Sequence, residues 1–241
     1  MKIIRVKNYE EASEKAYEVM KEFIKPGAVL GLATGSTPLG LYALMVKDHE
    51  ENGTDYSQIR TFNLDEYVGL PLHHRESYYS FMHTNLFNKV GIPEENTHVP
   101  GGLGDLEANC KAYDEMLAKE SVDIQLLGIG ADGHIGFNEP GTPFNLGTHV
   151  TDLTEQTRKD NQRFFNDLGE ETPTQAVTMG PATIMAAKNV LLIATGENKA
   201  EAIKGMIEGP VSEECQASLL QNHPNCTVII DEGAGKLLEN H

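Results

Sequence analysis

The chain is short of cysteine, of cations and of long apolar runs, and each shortage narrows what it can be. Cysteine occurs three times in 241 residues, at Cys110, Cys215 and Cys226. The number is odd, the spacing is wide and no CxxC pair occurs. That speaks against a disulfide framework and a cysteine zinc site, and fits a reducing, cytoplasmic setting. Lysine and arginine total 19 against 36 aspartates and glutamates, a formal charge of −17. Such a surface repels nucleic acid and anionic membranes, so neither is expected as a partner. An anionic small molecule would need a local cationic site working against that field. No apolar run approaches the ~20 residues that span a bilayer. The opening Met1-Lys-Ile-Ile-Arg-Val-Lys7 turns charged at once, unlike a secretory signal. Repeats, low-complexity tracts and linkers are also missing, so residues 1–241 read as one domain.

What is present is an alternation. Short apolar, β-branched runs lie between turn residues: Ala28 to Leu32, Ile59 to Leu64, Val122 to Leu127, Val190 to Ala194 and Cys226 to Ile230. Amphipathic stretches separate them. Ala12, Ala16, Val19, Met20, Phe23 and Ile24 fall at helical spacing, as do Leu106, Cys110, Tyr113 and Leu117. The alternation predicts an α/β fold with an open, mostly parallel, Rossmann-like sheet and helices on both faces. In such sheets ligands bind beyond the carboxyl ends of the strands. Four of those ends carry chemically competent residues.

The first is Leu32-Ala-Thr-Gly-Ser-Thr-Pro38. Gly35 permits close backbone approach, Ser36 or Thr37 can cap a helix, and Pro38 suits its first position. The free N–H groups of a helix start are a ready phosphate or carboxylate site, although an ordinary capped helix looks the same. The second is Asn63-Leu-Asp-Glu-Tyr67, where Asp65 or Glu66 can be a general base. A polar strand boundary is the commoner origin of such a pair. The third is Gly128-Ile-Gly-Ala-Asp-Gly-His-Ile-Gly-Phe-Asn-Glu-Pro-Gly141, with Asp132, His134 and Glu139 but no serine or cysteine nucleophile. A carboxylate beside an imidazole fixes its tautomer and raises its basicity, which suits a proton shuttle. A metal site is the rival, disfavoured because no second histidine stands at i+4. The fourth is Ala194-Thr-Gly-Glu-Asn-Lys199, where a cation in the first turn of a helix suggests a bound anion. Arg163 is uninformative alone. With Lys199 and Gly35, Ser36 and Thr37 it would complete a phosphate clamp. A phosphate cradle, a carboxylate and an acid–imidazole–acid relay together suit proton transfer on a phosphorylated sugar, which needs no protein nucleophile.

These stretches, with Ser77-Tyr-Tyr-Ser-Phe-Met82 and Arg163-Phe-Phe165, resemble the glucosamine-6-phosphate deaminases from about Val29 to Ile230. The stretches Asp65 to Leu70 and Gly133 to Pro140 are the specific ones. The resemblance implies conversion of glucosamine 6-phosphate and water to fructose 6-phosphate and ammonium, in amino-sugar catabolism, with no cofactor and no metal. It implies Asp65 as the base between C2 and C1, His134 as the ring-opening group with Asp132 and Glu139 in its relay, and Gly35, Ser36, Thr37, Arg163 and Lys199 on the phosphate. The loop Asn138 to His149 is a candidate lid. Allosteric members carry basic residues soon after the Glu-Pro and a longer tail. Here the stretch reads Thr148-His-Val-Thr-Asp152 and the chain ends soon after Asp231, so a short, unregulated type is expected. Monomer and homo-oligomer stay equally open. A 6-phosphogluconolactonase would not need the intact Asn63 to Tyr67 stretch, and a sugar-phosphate sensor would not need Asp65 and the relay together.

Overall fold

Strands covered on both faces need continuous apolar runs rather than alternation. The computed structural model, which describes residues 1–241, places the five expected runs in such strands. In chain order the strands are β1 (Lys2–Arg5), β2 (Val29–Leu32), β3 (Arg60–Asn63), β4 (Asp65–Tyr67), β5 (Thr97–His98), β6 (Ile124–Leu127), β7 (His149–Asp152), β8 (Gln175–Thr178), β9 (Val190–Ala194) and β10 (Cys226–Ile230). The helices are α1 (Tyr9–Lys21), α2 (Leu39–Asn52), α3 (Tyr78–Met82), α4 (Asn88–Val90), α5 (Leu106–Glu120), α6 (Glu155–Phe165), α7 (Pro181–Met185) and α8 (Ala200–Glu208). A π-helical turn, His83–Phe87, joins α3 to α4.

Seven strands form one sheet in the order β1-β10-β9-β6-β2-β3-β5. Every pairing in it is parallel. The chain runs outward from β2 through β3 to β5, then returns to β6 and runs outward the other way. The order therefore reverses between β2 and β6, and a crevice opens beyond their carboxyl ends. β2, β6 and β9 are buried at every position. One apolar cluster joins these strands to the inner residues of α1, α2 and α8.

A second, antiparallel sheet, β4-β8-β7, was not expected. The chain changes sheets at Leu64, whose N–H donates to Leu32 O (3.0 Å) while its carbonyl accepts from Met179 N (2.8 Å). Asp65 therefore sits at the corner between the two sheets. Tyr67, Phe137, Leu153, Phe165 and Ala176 form the small sheet's own core. Helix α1 ends at Lys21, short of Phe23 and Ile24, but both still pack against the main core.

Candidate active site

Beyond β2 the chain turns through Ala33 to Thr37. Gly35 has φ +87°, a left-handed conformation that favours glycine. Neither Ser36 nor Thr37 caps the following helix. Pro38 holds the cap position, with helical dihedrals and no side-chain bond, and α2 begins one residue later than expected. The amides of Thr34, Gly35, Ser36 and Thr37 consequently donate to no protein group. Free amides at the positive end of a 14-residue helix attract an anion. Lys199 lies in a 3₁₀ turn that leads into α8. Its Nζ donates to Ile129 O (2.7 Å), and burial lowers its pKa while Asp132 and Asp160 oppose that shift. The Arg163 guanidinium lies 4.7 Å over the Phe164 ring. A cleft of about 350 Å³ brings Gly35, Ser36, Thr37, Arg163 and Lys199 together with Asp65 and His134.

The neighbouring carboxylates Asp65 and Glu66 have different surroundings. Glu66 accepts from the amides of Tyr67 (2.9 Å), Tyr78 (2.9 Å) and Tyr79 (3.0 Å), so it closes the amino end of α3. Asp65 lies across from Thr178 of β8 and faces the cleft, only 6% exposed, with no protein donor to its carboxylate. Burial first, then the charge of Glu66, pushes its pKa up to about 8, against an opposing pull from His134.

The third strand end folds back on itself and brings Glu139 to His134. Asp132 Oδ1 accepts from His134 N (3.1 Å) and stands 2.6 Å from His134 Nδ1. Glu139 Oε2 is 3.5 Å from the same nitrogen, and Thr157 Oγ1 donates to Glu139 Oε1 (3.4 Å). Asp132 and Glu139 do not line the cleft; they stand behind His134, whose Nε2 has no protein partner. Burial alone would lower the imidazole pKa, but the hydrogen bond to Asp132 and the charges of Glu139 and Asp132 raise it. That hydrogen bond holds Asp132 well below the usual carboxylate range. Burial pushes Glu139 up to about 7, against an opposing pull from His134. The three ligand atoms lie within 4.8 Å of one another, so a cation is the alternative occupant. The spacing favours a proton: two ligands at ~2.0–2.1 Å on tetrahedral zinc stand ~3.3 Å apart, not 2.6 Å.

Residues 7–229 match the model of the family described as glucosamine-6-phosphate isomerases/6-phosphogluconolactonase. The chain belongs to this enzyme family. Among its relatives is the glucosamine-6-phosphate deaminase of Shouchella clausii (strain KSM-K16), 51% identical over 241 residues, with 98% of this chain and 97% of the relative covered. That of Clostridium perfringens (strain 13 / Type A) is 48% identical over 243 residues, with 99% and 100% covered. A solved monomeric glucosamine-6-phosphate deaminase superposes with a TM-score of 0.94 at 42% identity, over 99% of this chain and 100% of that one. The 6-phosphogluconolactonase from Trypanosoma cruzi, at 23% identity and TM-score 0.76, shares the fold.

Within this family fold, three polar groups of α6 stand in the cleft that the sequence motifs do not mark. Thr157, Asp160 and Asn161 all line it, and Asn161 Nδ2 donates to Tyr67 OH (2.9 Å). Their position beside Arg163 on one helix was the available signal. No helix is long and apolar enough to cross a membrane.

Proposed function

We propose that the chain deaminates glucosamine 6-phosphate, giving fructose 6-phosphate and ammonium. The observation that carries this reading is an unpaired, buried carboxylate, Asp65, in one cleft with the His134 relay and a loop of free amides. The amides of residues 34–37, with Arg163 and Lys199, hold the 6-phosphate. His134 moves a proton from the C1 hydroxyl to the ring oxygen and opens the ring. Asp132 stays ionised and orients the imidazole, while Glu139 keeps a proton available up to about pH 7. Asp65 then takes the C2 proton, giving an enolamine, and returns it to C1. Water adds at C2 and ammonia leaves. No step calls for a nucleophilic side chain, a redox cofactor or a metal.

The test mixes purified protein with glucosamine 6-phosphate in metal-free buffer and follows both products. Equal release of fructose 6-phosphate and ammonium, absent in Asp65→Asn, is the expected result. Binding without turnover would favour a sensor, and turnover of 6-phosphogluconolactone instead would favour a lactonase.

A further inference from the structure

Two tyrosine hydroxyls hold the amide loop, one at each end, and each bonds backbone. Tyr42, buried on α2, donates to Ala33 O (2.5 Å) and accepts from Ala33 N (3.2 Å). Tyr9, half-buried at the start of α1, donates to Ser36 O (2.8 Å) and accepts from Gly40 N (2.9 Å). Each hydroxyl spends its proton on a carbonyl and a lone pair on an amide, so the backbone groups that flank the loop are satisfied from outside it. The amides between, Thr34 to Thr37, are the ones with no protein acceptor. Backbone amides seek acceptors. A short loop freed at either end can turn its N–H groups onto neighbouring carbonyls, and the anion site is then lost. The fit around Tyr9 is close: a Cβ on Gly40 would run into the Ser13 hydroxyl and press on the Tyr9 ring, so α1 and α2 meet tightly at this point.

We propose that Tyr9 and Tyr42 are positioning residues for phosphate recognition, holding residues 33–37 in the shape that binds the 6-phosphate of the substrate. This rests on the reading of that loop as the phosphate site. Neither hydroxyl takes part in proton transfer. Their effect falls on affinity rather than on the rate of the bound complex.

The experiment uses the full chain, with Tyr9→Phe and Tyr42→Phe each compared with wild type. Inorganic phosphate is titrated calorimetrically, and turnover of glucosamine 6-phosphate is measured to saturation. Loss of the hydroxyl's two neutral hydrogen bonds predicts at least about a fivefold rise in the phosphate Kd and in KM for either variant. The kcat stays within about twofold, since the proton-transfer groups are untouched. Tyr9→Phe alters only a half-buried hydroxyl and is expected to fold, so it decides the matter if Tyr42→Phe does not. Unchanged Kd and KM in Tyr9→Phe would overturn the inference. So would a fall in kcat at constant KM, the mark of a general structural defect. A wild type that binds no phosphate would overturn the loop assignment itself, a separate result.

Discussion

Adjacent carboxylates at 65 and 66 show how much one side chain's surroundings decide. Glu66 has three backbone donors and closes the amino end of α3; Asp65 has none and faces the cleft. Asp65→Asn is expected to lower kcat by about 10²–10⁴-fold, the range for losing a positioned base. Titration with inorganic phosphate should show unchanged affinity. The same variant has a stability signature. The folded Asp65 pKa of about 8 stands above the ~3.9 of an unfolded aspartate. The folded state therefore holds its proton more tightly. The stability this gives is complete below pH ~4 and is lost as pH rises through about 8. Asparagine has no such dependence. In thermal melts the Asp65→Asn variant should gain on wild type from about pH 4 to about pH 8 and level off above. A gap constant with pH would refute the raised pKa. Glu66→Gln removes the second cause of that shift, so the acid limb of kcat/KM should move to lower pH. An unmoved limb would show that another group controls it.

At the scale of elements, the loop that looked most like a lid is braced. Gly141 N donates to Glu213 O (2.9 Å) and Phe144 N to Glu213 Oε1 (3.1 Å). Gln216 Nε2 donates to Thr142 O (2.9 Å), and Asp114 holds Thr148 through its amide and hydroxyl. Helix α6 is the looser element: of its 11 residues only Phe165 is buried, yet it presents Asn161 and Arg163 to the cleft. Hydrogen exchange should find Gly141 and Phe144 protected with and without phosphate, and α6 exchanging faster than either. Fast exchange at Gly141 that slows on binding would restore the lid. The loop's proline and glycine content showed an irregular path but not its ties, which come from residues 34 to 74 positions away. The same distance effect explains the missed strands. Val190 to Ala194 is legible because a strand buried on both faces must be apolar throughout. Asp65-Glu-Tyr67 and Gln175-Ala-Val-Thr178 carry polar residues and become strands by pairing with each other and, for the second, with β7. The candidate site was legible as strand-end chemistry. The residues alone left Asp65 and Glu66 open, and only the resemblance pointed to Asp65, because the burial and amide donors that distinguish the two arrive with the tertiary fold.

At the scale of the molecule, the reversal of strand order between β2 and β6 sets the amide loop beside the relay, and the step to the second sheet at Leu64 brings Asp65 in. Regulation by a second sugar phosphate would need a second anion site coupled to this one. In the allosteric deaminases that the sequence resembles, basic residues soon after the Glu-Pro contribute to that site. Here the first lysine or arginine after Glu139 is Arg158. Thr148 is tied to Asp114 through N (2.9 Å) and Oγ1 (2.5 Å), and a side chain at Gly147 would collide with the same carboxylate. β7 then ends on Asp152. Between Glu139 and Asp152 the chain, of net charge −17, offers an effector's phosphate no lysine or arginine. The rate curve against glucosamine 6-phosphate should therefore be hyperbolic, and N-acetylglucosamine 6-phosphate should act on it only as a competitor. A sigmoidal curve made hyperbolic by that compound would show a second anion site elsewhere on the molecule and overturn this expectation.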